Sequence, residues 1–114
     1  MKVENQHRKI SGYRELSPEE IDLMNRIKAK GAEMLALVAE LQGRLSTDHG
    51  VKLASAYSAE SAVGSDACKG SSAEAVELRR FIAAEPERWA AVGKTDIQTG
   101  IMALVRAVAQ PTSC

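Results

Sequence analysis

The sequence has few aromatic residues, cysteines and histidines, and these shortages exclude several classes of protein. Only 4% of its 114 residues are aromatic. That is too few for most sandwiches or barrels, whereas much alanine, leucine, valine and glutamate favours packed helices. The two cysteines, Cys68 and Cys114, are far apart in the chain. They form no disulfide framework, which indicates a reducing cytosol.

Two further absences concern net charge and long hydrophobic runs. Fifteen basic residues balance 15 acidic ones, whereas proteins that bind DNA or RNA polymers usually carry net positive charge. No apolar run approaches the ~20 residues that span a bilayer. Residues 1–14 are polar and do not resemble a signal peptide. We therefore expect no nucleic acid polymer and no membrane as partners.

The sequence shows no recognisable pattern for catalysis or for metal binding. His7 and His49 are the only histidines, and neither has a serine or cysteine at a spacing typical of nucleophilic catalysis. No histidine or cysteine pair has metal-ligand spacing. We expect a non-enzymatic protein with no metal and no cofactor, in which both histidines are solvated.

Helix signals predict an all-α antiparallel hairpin, with residues 1–114 as a single helical domain. Residues 1–16 form a polar arm in this prediction. Ser17, Pro18 and Glu20 then provide a helix cap, a first-turn proline and a capping box. The first long helix covers residues 17–45, a Ser/Ala/Gly-rich loop residues 46–72, and a second helical arm residues 73–110. Pro86 either starts a new helix or kinks a continuous one.

Glycine spacing and wide apolar faces point to close contacts and to self-association. Gly93 and Gly100 lie on nearly one face of the last helix, where each glycine costs about 1 kcal/mol relative to alanine. Close approach of another helix or of a ligand explains such a cost. The apolar faces of both long helices are wider than one partner helix covers, so we expect a homo-oligomer.

Basic and aromatic side chains are concentrated in the arm and in the first helix. The arm contains His7, Arg8, Lys9, Tyr13 and Arg14, and the helix adds Arg26, Lys28 and Lys30. A tyrosine can stack on a nucleobase, and lysine or arginine can bind phosphate. Chemistry alone leaves the alternative open that these are solvated charges and that Tyr13 is a packing anchor.

Two long blocks of sequence favour ligand binding over the alternative of solvated charges. Residues 5–25 read NQHRKISGYRELSPEEIDLMN, and residues 89–111 read WAAVGKTDIQTGIMALVRAVAQP. The first block resembles the opening of the bacteriophage anti-CBASS cyclic-oligonucleotide sponge family (type 2 anti-CBASS protein), and the second resembles the family's closing helix. The resemblance extends from residue 5 to about residue 45 and over residues 89–111, which is somewhat over half of the chain, and residues 46–72 match nothing familiar.

The resemblance implies a function, an assembly and a location. Such sponges bind the cyclic dinucleotides (such as 3′,3′-cGAMP) and cyclic trinucleotides of bacterial immunity, and they withhold them from host effectors without cleaving them. They act in the cytoplasm of the infected bacterial host. They are compact homohexamers, with cyclic dinucleotides in pockets shared between protomers and trinucleotides in separate pockets near the three-fold axis.

The resemblance also implies two sets of site residues. In the cyclic dinucleotide site, Tyr13 matches the stacking tyrosine and Lys28 the phosphate-binding lysine, while Arg14 could add a phosphate contact. His7 and Arg8 are further candidates. In the trinucleotide site, Gly93 and Lys94 match a glycine followed by a basic residue, usually arginine, and lysine lacks the bidentate fork. The remaining trinucleotide candidates are Lys30, Thr95 and Gln98.

Two rival functions stay open at this point. The first is an enzyme that degrades cyclic nucleotides, and the lack of a metal or general-base cluster argues against it. The second is a helical DNA-binding or adaptor protein. The neutral net charge argues against DNA binding.

Overall fold

The computed structural model describes residues 14–112, which form three helices and no strand. Helix α1 spans Pro18–Ala62, α2 spans Ala73–Ala84 and α3 spans Pro86–Ala109. The predicted all-α hairpin with a broken second arm is confirmed. No helix within residues 14–112 combines the length and the hydropathy that a bilayer crossing requires.

The chain divides into two compact units. One, here called the terminal unit, is Met1–Ala36 with Thr95–Cys114, of which residues 14–36 and 95–112 are described. The other, here called the central unit, is Leu37–Lys94. Both α1 and α3 contribute residues to both units.

Helix α1 begins where the capping-box signal predicts. The Ser17 hydroxyl accepts a hydrogen bond from the Glu20 N–H at 3.1 Å, and the Ser17 N–H donates to Glu20 Oε1 at 3.0 Å. Two backbone donors of the first turn are therefore satisfied reciprocally. Pro18 is the first helical residue, a position that needs no backbone N–H.

The predicted end of the first helix at residue 45, and the loop predicted for residues 46–72, are wrong. Helix α1 continues to Ala62, so the connection to α2 is confined to residues 63–72. The helix has a face with partners in α2 and α3, formed by His49, Lys52, Ala56 and Glu60 at spacings of three, four and four. These residues are polar or small, so the segment shows no apolar stripe although it packs along one face.

The second arm is broken by a left-handed residue rather than bent smoothly. Ser72 caps α2 by accepting a hydrogen bond from the Ala75 N–H at 3.1 Å. Glu85 ends α2 with φ 51° and ψ 48°, a left-handed backbone conformation that residues other than glycine and asparagine rarely adopt. Pro86 then starts α3, which decides between the two predicted roles of this proline in favour of a new helix.

A small core and one buried carboxylate hold the central unit together. Its buried side chains Ala56, Ala67, Ala75 and Leu78 pack as one cluster. Glu60 is 2% exposed, and its Oε2 accepts the Ser72 N–H at 3.0 Å. Hydrogen bonding by Ser72 lowers the pKa of Glu60, so the carboxylate stays charged and holds the end of α1 to the start of α2.

In the terminal unit, α1 and α3 run antiparallel and approach closely at Gly31. A Cβ atom at Gly31 would overlap the side chain of Ile101, so the missing side chain lets Ile101 pack against α1. No other helix within residues 14–112 approaches Gly93 or Gly100, so the close approach of another helix or of a ligand there stays a prediction. A Cβ added at either position would meet nothing within 4 Å.

Gly70→Ala is expected to lower the free energy of unfolding by about 1–3 kcal/mol. The new Cβ would overlap the Glu60 carboxyl group, and moving that group would break its hydrogen bond to Ser72. Urea titration followed by circular dichroism measures the change. Gly43→Ala is the matched control, because a Cβ there meets nothing within 4 Å. The control should gain up to about 1 kcal/mol from helix propensity. Equal stability of the two variants would contradict the packing argument.

Candidate functional site

Arg14 connects the end of the N-terminal arm to the end of α3. Its Nε donates to the Ala109 carbonyl oxygen at 3.1 Å, and its Nη2 donates to the Val108 carbonyl oxygen at 2.8 Å. Because α3 ends at Ala109, both carbonyls lie in its last turn and lack a partner within the helix. Arg14 therefore caps α3 from outside and places a positive charge at the negative end of its dipole.

The same guanidinium pairs with the first turn of α1. Arg14 Nη2 lies 2.5 Å from Glu20 Oε2, and Nη1 lies 3.4 Å from Oε1. The hydrogen bond from Arg14, followed by that from the Ser17 backbone, lowers the pKa of Glu20 to about 2. The pair is therefore fully charged near neutral pH. It joins the beginning of α1 to the end of α3.

A cleft of about 340 Å³ lies next to this pair and is here called the Lys28 cleft. Its lining is Lys28, Ile101, Met102, Val105, Arg106, Ala109 and Pro111. Five of these residues are apolar, two are cationic, and no carboxylate belongs to the described lining. Such a combination suits a ligand that has flat apolar rings and anionic groups.

Lys28 itself has no ion pair within residues 14–112. Its side chain is exposed at the edge of the cleft. The neighbouring cations on α1 differ, because Arg26 pairs with Asp22 at 2.9 Å and Lys30 with Glu33 at 3.7 Å. Lys28 is therefore the cation of residues 26–30 that can meet an anionic ligand without losing an existing partner.

A second cleft, of about 400 Å³, contains Lys30 and is here called the Lys30 cleft. Its lining is Leu23, Arg26, Ile27, Lys30, Gly31, Ile101 and Leu104. Ile101 borders both clefts, so the close packing at Gly31 shapes the two of them. The two lysines predicted for different ligands therefore line different clefts of the terminal unit.

The other trinucleotide candidates lie along α3. Lys94, Thr95 and Gln98 are exposed, and Gly93 is half-buried. Gly93 and Lys94 belong to the central unit, whereas Thr95 and Gln98 belong to the terminal unit with Lys30. None of these four residues of α3 lines the Lys30 cleft. Their assignment to a trinucleotide therefore stays a prediction.

The arm candidates His7, Arg8 and Tyr13 lie outside the described residues. Of the predicted dinucleotide set, the structure thus places Arg14 and Lys28. Ala109 links the two, because its carbonyl accepts from Arg14 and the residue also lines the Lys28 cleft. The described residues of the predicted site therefore lie close to each other at the end of α3.

In the central unit, several charged residues are paired with each other. The prediction placed His49 in a loop, but it lies in α1. Its Nδ1 is 2.9 Å from Glu87 Oε1. Glu77 accepts from Arg80 at 2.6 Å and pairs with Lys52 at 2.8 Å, and these two partners lower its pKa to about 2. No group of three or more potential metal ligands occurs within residues 14–112.

Comparison with known proteins agrees with this fold. The family described as "Acb2/Tad1, hairpin domain" matches residues 7–109. The chain belongs to this hairpin family. It is also 64% identical, over 112 residues, to "Anti-CBASS protein 2" of Pseudomonas phage JBD67. That alignment covers 98% of this chain and 100% of the phage protein.

For this family member, sequence reasoning missed most of the lining of the Lys28 cleft. Arg106, Met102 and Val105 on α3 were not predicted as site residues, although they border the cleft with Lys28. Their positions follow from the antiparallel register of α1 and α3. Only the spacing of Met102, Val105 and Arg106 along one helical face could have indicated them from sequence.

Glu20→Gln should destabilise this member of the Acb2/Tad1 hairpin family at pH 7, and the difference from wild type should shrink as the pH falls. The folded pKa of Glu20 is about 2 and its ordinary value is 4.5. The ion pair therefore contributes its full stability above pH 4.5 and loses it as the pH falls through about 2. Thermal unfolding across this range measures the effect. Glu33→Gln is the control, because its 3.7 Å pair joins exposed side chains. A Glu20→Gln difference that does not depend on pH would contradict the assignment.

Proposed function

We propose that this chain counteracts CBASS immunity by binding cyclic dinucleotides and withholding them from host effectors, without chemical change. The name of the 64% identical phage protein, Anti-CBASS protein 2, supports the biological role. One structural observation supports the ligand class most. Lys28 is exposed, has no ion-pair partner within residues 14–112, and lines the mostly apolar Lys28 cleft.

The chemistry of the ligand fits the residues proposed for this site. A cyclic dinucleotide has two phosphates and two flat bases. Lys28 provides a charge-assisted hydrogen bond to phosphate, and Tyr13 provides a ring on which a base stacks. His7 and Arg8 of the arm are further candidates for this site.

The proposal includes a homo-oligomer, with a hexamer as the expected assembly. In the terminal unit, Ile21, Leu23, Met102 and Leu104 are 43%, 40%, 70% and 55% exposed. Their burial against other copies of the chain would contribute about 25 cal/mol per Å² of apolar surface. A two-fold axis would also present matched copies of Lys28 to both halves of a symmetric dinucleotide.

Cyclic trinucleotides are the second proposed ligand class, bound at a separate site. Lys30 lies in a cleft of its own, which supports a site distinct from that of the dinucleotide. Gly93, Lys94, Thr95 and Gln98 are the other residues proposed to bind trinucleotides, although none of them lines the Lys30 cleft. The proposed place of action is the cytoplasm of the infected bacterial host.

Release of intact ligand separates a sponge from a degrading enzyme. The protein is mixed with cyclic dinucleotide in excess of its sites, heated until it unfolds, and centrifuged. Chromatography of the supernatant should recover all of the nucleotide unchanged, since binding without chemistry is reversed by unfolding. Linear product would contradict the proposal and favour an enzyme. Calorimetry with duplex DNA in parallel should show no binding.

Lys28→Ala should weaken cyclic dinucleotide binding by about tenfold or more, because a charge-assisted contact to phosphate is lost. Isothermal titration calorimetry measures the affinity, and light scattering checks that the oligomer is intact. Lys30→Ala is the matched control on the same helix, and it should leave dinucleotide binding unchanged.

Lys94→Ala should weaken trinucleotide binding alone. Equal losses for both ligands in any one variant would contradict the two-site assignment.

A further inference from the structure

We propose that Arg106 is a second phosphate-binding residue of the Lys28 cleft, so that α1 and α3 each bring a cation to the two phosphates of a cyclic dinucleotide. This inference deepens the proposed function and rests on it. Both cations belong to the described part of the terminal unit.

The α3 wall of the Lys28 cleft changes from apolar to cationic within about one helical turn. Met102, Val105, Arg106 and Ala109 line the cleft, and their spacings of three and four place them on one face of α3. Met102 lies about 6 Å from Arg106 along the helix axis. A ligand that packs a flat ring against Met102 therefore has Arg106 within reach of an anionic group attached to that ring. A nucleotide, which joins a base to a phosphate through a sugar, has this form.

Lys28 provides the cation of the other wall. It lies in α1, whereas the rest of the described lining lies in α3 or just after it. A lysine presents a point charge, and an arginine presents a planar fork with parallel N–H donors. Arg106 therefore fixes the orientation of its phosphate by two hydrogen bonds, which Lys28 does not do.

The position of Arg106 in the last turn of α3 has a second explanation, which is the helix dipole. A cation there stabilises the negative end of the helix. Arg14 already meets this need, since its guanidinium donates to the carbonyls of Val108 and Ala109. The same contact offsets the repulsion that the end of α3 would exert on a phosphate. A guanidinium has about five N–H donors, so Arg106 can contact the protein and a phosphate at once.

The charges around the cleft favour two anionic groups. Its described lining has two cations and no carboxylate. The Glu20 carboxylate lies 2.5 Å from Arg14 Nη2, so its charge is balanced before a ligand arrives. A cleft lined by charges of one sign attracts ligands of the opposite sign. Two positive charges in one cleft therefore match the two phosphates of the proposed ligand.

Arg106→Gln should weaken binding of 3′,3′-cGAMP by about tenfold, because a charge-assisted contact to phosphate is lost. Isothermal titration calorimetry measures the affinity. Arg106→Lys keeps the charge without the fork and should lie between wild type and Arg106→Gln. Arg44→Gln is the matched control, because Arg44 is an exposed arginine that pairs with Asp48 and lines neither cleft. Equal affinity of Arg106→Gln and wild type would overturn the inference.

A change in the ligand distinguishes a phosphate contact from a packing role. An analogue of 3′,3′-cGAMP with one neutral methylphosphonate linkage has lost one negative charge. This loss should weaken binding to wild type severalfold more than binding to Arg106→Gln, because the variant no longer has the cation that meets the charge. The same loss for both proteins would show that Arg106 acts without contacting phosphate, and the inference would fall.

Unfolding without ligand tests whether Arg106 acts through the fold instead. The Tm of Arg106→Gln should lie within a few degrees of the wild-type value, and light scattering should give the same oligomer mass. A large fall in Tm that Arg106→Lys restores together with full affinity would assign Arg106 to the helix dipole and overturn the inference.

The titrations also separate failure of this inference from failure of the proposed function. Wild-type protein that binds no cyclic dinucleotide would contradict the function and the role of Arg106 with it. Binding that is lost in Lys28→Ala but kept in Arg106→Gln would leave the function intact and overturn the role of Arg106 alone.

Discussion

The terminal unit depends on the close packing of Ile101 against α1 at Gly31. A Cβ at Gly31 would overlap the Ile101 side chain, so any other residue there would force Ile101 to move. Ile101 then forms a wall of both the Lys28 cleft and the Lys30 cleft. Each cleft thus has at least one cation from α1 and apolar residues from α3. A shift of this contact would change both proposed sites together, although their lysines are proposed to bind different ligands.

The central unit is held by small and polar contacts, which leaves its larger apolar residues at the surface. Its buried cluster is mostly alanine, and Glu60, Lys52 and His49 on α1 each have polar partners from α2, its cap or α3. Meanwhile Leu37, Val51, Tyr57 and Ile82 are 50–60% exposed. In the single chain these side chains stay largely in water, although burial of apolar surface usually dominates stability. Self-association, as proposed for the function, would supply it.

Sequence reasoning predicted the features that depend on local chemistry. The capping box at Ser17 and Glu20 and the break at Pro86 follow from hydrogen bonding and ring geometry within a few residues. The extension of α1 beyond residue 45 was missed because its packed face contains His49, Lys52 and Glu60 rather than apolar residues. The contact of Arg14 with Val108 and Ala109 joins residues that are far apart in sequence. Only the antiparallel register of α1 and α3 brings them together.

One property of the site was nevertheless readable from sequence. A helical lysine forms ion pairs chiefly with residues three or four positions away. For Lys28 these positions hold Met24, Asn25, Gly31 and Ala32, none of which is acidic. Arg26 and Lys30 instead have Asp22 and Glu33 at such positions and pair with them. The sequence around Lys28 thus keeps one cation of this helix without an intrahelical partner, and the fold places that cation beside an apolar cleft. The proposed ligand, which is anionic and has flat rings, would satisfy both.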